Sequence, residues 1–232
     1  MSVLIVAGLD SSTGAGLARD LAVLSDHGTP ARVAATAVTA QDAAGACSVH
    51  PVPPAMVAAQ IRAAGPVRVA KLGMLANAEV VAAVAEAMPD LPLVLDPVLA
   101  TSAGVVLLDA AGRAAMIARL IPRAALVTPN LPEATALTGL EPDASPGALA
   151  AAFFAMGAKA ILLKGGHGDG AEAVDWLLRA NAAPLRFAAP RKTGARRGTG
   201  CALASAIAVH LARGDDLASA CGQAKHYVWK WI

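Results

Sequence analysis

The chain has 232 residues, a formal net charge of +2, 56% hydrophobic residues and only 3% aromatic residues. This length suits one large α/β domain with its own core, so we expect residues 1–232 to form a single domain. The small net charge argues against nucleic acid or an anionic membrane surface as a partner.

The cysteines and the N-terminus indicate the compartment. Cys47, Cys201 and Cys221 are odd in number and far apart, which argues against a disulfide framework and against structural zinc. The first residues lack a basic segment and reach Asp10 too early for a signal peptide. The longest uncharged stretch, residues 43–61, contains three prolines, so it does not predict a membrane helix. We therefore expect a cytoplasmic protein without a membrane span.

Short apolar runs alternate with longer helical stretches along the chain. The predicted strands cover residues 3–7, 31–38, 67–72, 93–96, 125–128 and 160–164, followed by an antiparallel pair at 173–178 and 185–188. The predicted helices cover residues 15–27, 56–64, 78–88, 110–120, 132–138, 146–156, 201–212 and 217–231. Strands separated by helices predict a three-layer α/β fold, with a central, mostly parallel sheet and helices on both faces.

Polar residues and glycines follow most of the predicted strands. These stretches are residues 8–16, 71–74, 96–98, 128–133, 164–167 and 198–201. Ligands of such sheets bind outside the carboxyl ends of the strands. Any one stretch alone fits an ordinary turn, but together they predict a phosphate-handling site at one edge of the sheet.

A dinucleotide site is a weaker interpretation of the first glycine-rich loop. Leu17, Ala18 and Arg19 follow Gly14-Ala15-Gly16, so the G-x-G-x-x-G pattern is not completed. In addition, no acidic residue ends a plausible second strand. The sequence therefore disfavours hydride transfer.

The stretch GARRGTGCALASAIA, residues 194–208, places glycines, a hydroxyl and a thiol before an alanine-rich segment without proline. Gly198, Thr199 and Gly200 would lie at a helix N-terminus, where free N–H groups and the helix dipole attract an anion. We expect Gly200 to need a positive φ, and Cys201 to have a lowered pKa. The alternative is a glycine turn before a core helix, with Cys201 as a small hydrophobic residue.

Seven ordered motifs carry a family resemblance. They are VAGLDSSTGAGLARDL, TAVTAQ, KLGML, VLDPV, TPNLPEA, LKGGH and GTGC. Together they resemble the hydroxymethylpyrimidine/phosphomethylpyrimidine kinases of thiamine biosynthesis, which belong to the ribokinase-like superfamily. The resemblance implies the ribokinase-like fold, a homodimer, and the cofactors ATP and Mg2+. It also implies successive phosphorylation of 4-amino-5-hydroxymethyl-2-methylpyrimidine and its monophosphate.

The resemblance implies that one group of residues lines the pyrimidine pocket, namely Gly8, Ala15, Asp20, Gln41, Met74 and Val98. The Gln41 amide offers both a donor and acceptors, which match an aminopyrimidine edge. Taken alone, Gln41 would be a solvated loop amide.

A second implied group handles the nucleotide. Asn130 and Glu133 would organise magnesium and the phosphates, with Asn130 acting through water, and Lys164 would neutralise phosphate charge. Alternatively, Asn130 and Glu133 form an N-capping turn, and Lys164 is an exposed lysine at a strand end. The backbone of Gly198, Thr199, Gly200 and Cys201 would hold the transferring phosphoryl group. Cys201 occupies the place of the aspartate base of other ribokinase-like enzymes, either as a base or as a spectator.

Three departures from the family pattern are visible. Arg196 and Arg197 replace the usual Thr-His before Gly-Thr-Gly-Cys, either to clamp a phosphate or as solvated charges. Ser102 stands where the family has a lysine, and the last helix carries Trp229 and Trp231. These changes put the second phosphorylation in doubt. A pyridoxal kinase, a dual-specificity kinase and a catalytically silent homologue remain alternatives.

Overall fold

A nine-stranded sheet runs through the described part of the chain, and helices cover both of its faces. The structure is a computed structural model that describes residues 2–41, 47–101, 103–165, 170–192 and 196–232. The strands are β1 Val3–Asp10, β2 Ala31–Gln41, β3 Cys47–Pro51, β4 Val69–Leu72, β5 Leu93–Leu95, β6 Leu126–Val127, β7 Ala160–Leu163, β8 Glu172–Arg179 and β9 Leu185–Pro190.

The helices lie mainly between the strands. They are α1 Gly16–Asp26, α2 Pro54–Ala63, α3 Ala78–Ala87, α4 Ala110–Arg119, α5 Leu131–Thr138, α6 Pro146–Ala155, α7 Thr199–Arg213 and α8 Leu217–Trp231. A single 3-10 turn, Ile121–Arg123, follows α4.

The order of strands in the sheet is β3-β2-β1-β4-β5-β6-β7-β8-β9. The strands from β2 to β7 in this order pair in parallel, while β3, β8 and β9 are antiparallel to their neighbours. The predicted mostly parallel sheet and the late antiparallel pair are confirmed.

Two hydrophobic clusters hold the helices against the sheet. Leu4 and Val6 of β1 pack with residues of α2 to α6, whereas Val3 and Ile5 pack with α1, α7 and α8. Successive side chains of a strand point to opposite faces, so a continuous apolar run supplies both clusters. The predicted arrangement of helices on both faces is therefore confirmed.

Helix α7 is buried along most of its length. The residues from Ala202 to Val209 are all buried, and most of them are alanine or another small residue. Small side chains let α7 pack closely against the sheet, α1 and α8. This packing fixes the start of α7 at the carboxyl edge of the parallel strands.

The second strand is longer than predicted. It extends to Gln41 because β3 pairs antiparallel with its last residues, with Gln41 opposite Cys47. The extension places the Gln41 backbone within the sheet, so this residue is not in a free loop. No helix within the described ranges is long and apolar enough to cross a bilayer.

Candidate active site

One cavity of about 970 Å³ lies at the carboxyl edge of the parallel strands. The loops after β1, β4, β5, β6 and β7 contribute to its wall, together with the end of β2 and the start of α7. The predicted site residues that line it are Gly8, Ala15, Gln41, Met74, Val98, Asn130, Glu133, Lys164, Gly198, Thr199, Gly200 and Cys201. The structure therefore brings to one cavity residues expected to contact the pyrimidine and residues expected to contact the nucleotide.

Asp20 is the exception, because it lies beneath the cavity and not on its wall. Its carboxylate is fully buried, 2.9 Å from the Lys71 ammonium, and it accepts a hydrogen bond of 2.8 Å from Ser205. Burial alone would lower the pKa of Lys71, but the Asp20 carboxylate outweighs this effect and raises it. Lys71 is therefore a buried cation at the cavity floor, and Asp20 is its counter-charge.

At the end of the cavity lined by Gln41, Arg197 joins the end of β2 to the end of β1 and the loop after it. Its guanidinium donates to the amide oxygen of Gln41, to Asp10 Oδ2 at 3.2 Å and to Ser12 Oγ at 3.0 Å. Asp10 is itself buried, and its carboxylate also accepts hydrogen bonds from the backbone of Ser12 and Ala15. Arg197 is consequently neither a solvated charge nor a free phosphate clamp in this structure.

The start of α7, residues 198–201, lines the cavity and is called the cradle below. Gly198 has a φ of +77° and directly precedes the helix, and within the described residues no side chain caps the first turn. The first N–H groups of the helix therefore lack intrahelical acceptors. A positive φ was expected at Gly200, but the left-handed residue is Gly198, since Gly200 already belongs to the helix. A Cβ at Gly200 would lie 3.1 Å from Lys164 Nζ, so this glycine keeps the lysine beside the cradle.

Lys164 lies between two carboxylates. Its ammonium is 2.8 Å from Asp96 Oδ1 and 3.6 Å from Glu133 Oε2. Burial opposes the ionisation of Asp96, but the charges of Lys164 and Lys71 outweigh it and lower the pKa of Asp96. At Glu133 burial dominates and raises the pKa. Lys164 is therefore protonated and held mainly by Asp96, while the Glu133 carboxylate takes up a proton more readily than an ordinary glutamate does.

Asn130 and Glu133 form the N-terminal capping box of α5. The Asn130 side chain accepts from the Glu133 backbone, and the Glu133 carboxylate accepts from the Asn130 backbone, both at 2.8 Å. Their hydrogen bonds are therefore those of the N-capping turn that the sequence offered as an alternative. Both residues also line the cavity. Structural capping and a place at the site are compatible here.

The Cys201 thiol does not have the lowered pKa expected at a helix N-terminus. Burial raises its pKa to about 11, although Lys71 and a backbone hydrogen bond from Gly16 act in the opposite direction. Desolvation of a thiolate therefore outweighs the favourable charges around it. At neutral pH the side chain is a thiol.

Helix α8 supplies the wall at the other end of the cavity, with Lys225, Val228, Trp229 and the following Ile232. The Trp229 indole N–H donates to the Pro190 carbonyl at 3.0 Å. The Trp231 ring lies between two guanidinium groups, those of Arg19 and Arg196, each 4.2 Å from its centroid. Trp231 therefore links the end of α8 to α1 and to Arg196.

Three charged residues also line the cavity, although the sequence predicted only the stretches that contain them and no individual role: Asp10, Lys71 and Asp96. Asp10 ends the apolar strand β1, Asp96 directly follows β5, and Lys71 lies inside the buried strand β4. A charge at such a position must be paired inside the protein, and this was the available signal. Ser102, which stands where the family has a lysine, lies outside the described residues, as do Gly166 and His167 of the LKGGH motif.

Comparisons with known proteins show which family the chain resembles. The model of the phosphomethylpyrimidine kinase family matches residues 10–232. The thiamine biosynthesis bifunctional protein ThiED of Geobacter sulfurreducens is 42% identical over 98% of this chain, which spans only 48% of that relative. The hydroxymethylpyrimidine/phosphomethylpyrimidine kinase of Haemophilus influenzae is 38% identical, over 97% of this chain and 88% of its own length.

Two solved structures have a similar fold. The phosphomethylpyrimidine kinase of Clostridium difficile 630 superposes with a TM-score of 0.84 at 33% identity, covering 100% of this chain and 99% of that one. The pyridoxal kinase of Staphylococcus aureus in complex with AMP-PCP and pyridoxal has a TM-score of 0.87 at 30% identity, covering 98% and 86%. The fold is thus the ribokinase-like one implied by the motifs, and the chain belongs to the phosphomethylpyrimidine kinase family.

Proposed function

We propose that this chain transfers the terminal phosphoryl group of ATP to the hydroxymethyl group of 4-amino-5-hydroxymethyl-2-methylpyrimidine, and then phosphorylates the resulting monophosphate. The observation that carries the proposal is the shared cavity. The Gln41 amide lines one end of this cavity, and the open N-terminus of α7 lines it beside Lys164. A ring bound at Gln41 could therefore present its alcohol to the cradle.

In this proposal the residues of the chain act by positioning and by neutralising charge, which is most of what phosphoryl transfer requires. The Gln41 amide and the Met74 and Val98 side chains hold the pyrimidine ring. The phosphates of ATP lie across Asn130, Glu133 and Lys164. The N–H groups of residues 198–201 donate to the transferring group as charge spreads over its oxygens.

The donor chemistry of the site fits a magnesium ion. Glu133 offers a carboxylate at the cavity wall with a side-chain exposure of 12%, and Asn130 adjoins it. Within the described ranges no group of three or more His, Cys, Asp or Glu side chains converges. Magnesium suits such a sparse site because it keeps several waters. Glu133 would hold the ion, with Asn130 through water, and the bound ion would neutralise phosphate charge.

Cys201 serves in this proposal as part of the cradle wall, not as a thiolate base. Its raised pKa leaves almost no thiolate at neutral pH. A loose transition state makes little demand on a base, so the alcohol proton can leave late in the reaction.

Pyridoxal is the second candidate substrate. The similarity to a pyridoxal kinase structure that contains pyridoxal supports it. The donor and acceptor of Gln41 favour the aminopyrimidine, because pyridoxal lacks an amino group beside a ring nitrogen. The homodimer and the cytoplasmic location expected from the sequence stay predictions.

One assay tests the proposed function. ADP release is measured with magnesium and ATP in the presence of the hydroxymethylpyrimidine, its monophosphate or pyridoxal, with Lys164→Met as the control for contaminating kinases. We expect ADP release with both pyrimidines and less with pyridoxal, and none from the control variant. Release with pyridoxal alone would establish the second candidate, and no release with any compound would indicate a silent homologue.

A further inference from the structure

Two neighbours of Gln41 determine which way its amide faces. The amide oxygen accepts from the Arg197 guanidinium, and the amide nitrogen donates to Thr39 Oγ1 at 2.9 Å. Arginine carries donors only, so the atom that faces it must be the oxygen. The Thr39 hydroxyl already donates to the Leu9 carbonyl at 3.1 Å, so it accepts from the nitrogen. Both neighbours therefore require the same orientation of the amide.

Arg197 is held firmly enough to impose this orientation. The same guanidinium contacts Asp10 at the end of β1 and Ser12 on the loop after it, and the Arg197 side chain is 36% exposed. The Asp10 carboxylate neutralises its charge, so the arginine has little electrostatic reason to turn toward a bound phosphate. A planar guanidinium presents donors from separate nitrogens in fixed directions toward the three partners, whereas an ammonium presents all its donors from one atom.

We propose that Arg197 is a specificity-determining residue: by fixing the Gln41 amide, it makes the pocket select a ring that carries an amino group beside an acceptor nitrogen. The inference rests on the proposed function. Among the hydrogen bonds of the described residues, the fixed amide keeps one oxygen lone pair and one N–H for a ligand. An aminopyrimidine offers the matching donor and acceptor. The 4-oxo counterpart of the same ring has an acceptor oxygen in place of the amino group and a donor N–H in place of the acceptor nitrogen. Its oxygen would face the amide oxygen of Gln41, and its N–H would face the amide N–H.

The test is the ratio of the dissociation constants for the 4-amino and 4-oxo hydroxymethylpyrimidines, measured by calorimetry without ATP. We expect wild-type protein to prefer the amino compound and Arg197→Met to lower that preference by about tenfold, the effect of one polar contact. Arg196→Met is the matched control, because Arg196 contacts Trp231 and not Gln41. Its ratio should equal that of the wild type.

Arg197→Lys covers the case in which Arg197→Met does not fold, since lysine keeps a positive charge beside Asp10. Its ratio should lie between those of the wild type and Arg197→Met. An unchanged ratio in the folded Arg197 variants, or an equal change in Arg196→Met, overturns the inference alone. Wild-type protein that binds neither pyrimidine overturns the proposed function and the inference together.

Discussion

Replacing either glycine of the 198–200 turn by alanine adds one methyl group, but the two groups meet different surroundings. At Gly198, with a φ of +77°, the new Cβ would overlap the Gly14 carbonyl oxygen and lie 3.2 Å from Arg19 Cγ. The left-handed conformation alone costs an alanine about 1–2 kcal/mol. Because the overlapping atom belongs to the backbone, the turn must also move. We expect Gly198→Ala to lower the free energy of unfolding by about 2–4 kcal/mol.

Gly200→Ala should behave in the opposite way. Its backbone is already helical, and alanine forms helix better than glycine by up to about 1 kcal/mol. The new Cβ would lie 3.1 Å from Lys164 Nζ, the mobile end of a side chain, so the lysine moves and the helix does not. We therefore expect wild-type stability but a turnover lower by about 10²-fold, since a displaced donor no longer matches the transition state.

Urea unfolding followed by circular dichroism gives the stability, and steady-state ADP release gives the turnover. Gly139→Ala is the matched control, because Gly139 also has a positive φ, of +71°, but a Cβ there meets nothing within 4 Å. Gly139→Ala should lower the free energy of unfolding only by the cost of placing an alanine in the left-handed conformation. A loss of stability in Gly198→Ala no larger than that in Gly139→Ala would show that the overlap at Gly198 costs nothing. Wild-type turnover in Gly200→Ala would show that the position of Lys164 does not depend on this glycine.

Three further predictions follow from the same site. Lys71→Met should cost about 3–5 kcal/mol in urea unfolding because it leaves the Asp20 carboxylate buried without its counter-charge. Adding Asp20→Asn should recover part of that loss, and additive losses would contradict a paired charge. Burial raises the pKa of Cys201 to about 11, so thiolate forms only as the pH rises toward that value. Turnover of the wild type and of Cys201→Ala should therefore show the same pH profile between about pH 7 and 9. A rise of turnover with pH that only the wild type shows would indicate that Cys201 acts as a thiolate base. Gln41→Met should weaken hydroxymethylpyrimidine binding in calorimetry by about 1–3 kcal/mol and pyridoxal binding by less, and equal losses would mean that Gln41 only supports the loop.

The sequence was sufficient to predict the sheet and the place of the site. Apolar runs such as residues 3–7 and 160–164 carry their own signal, because strands buried on both faces need nothing but hydrophobic residues. Polar residues after such strands meet at one edge by the geometry of parallel pairing alone. The cavity at that edge could therefore be predicted without knowing any contact between distant residues.

The remaining features depend on contacts between distant parts of the chain. Strand β3 contains His50 and Pro51 and has little strand signal, so only its pairing with β2 defines it. The pairing of Lys71 with Asp20 joins positions 51 residues apart. The raised pKa of Cys201 follows from how much water the surrounding elements exclude, a quantity that local sequence does not carry.

The position of the last residues has a practical consequence for producing the protein. Ile232 lines the cavity, and Trp231 is held between Arg19 and Arg196, so a peptide fused after Ile232 would emerge beside the site. Strand β1 starts at Val3, at the opposite edge of the sheet from the cavity. A purification tag placed before Ser2 would leave the site accessible, whereas a peptide attached after Ile232 would lie beside the opening of the cavity.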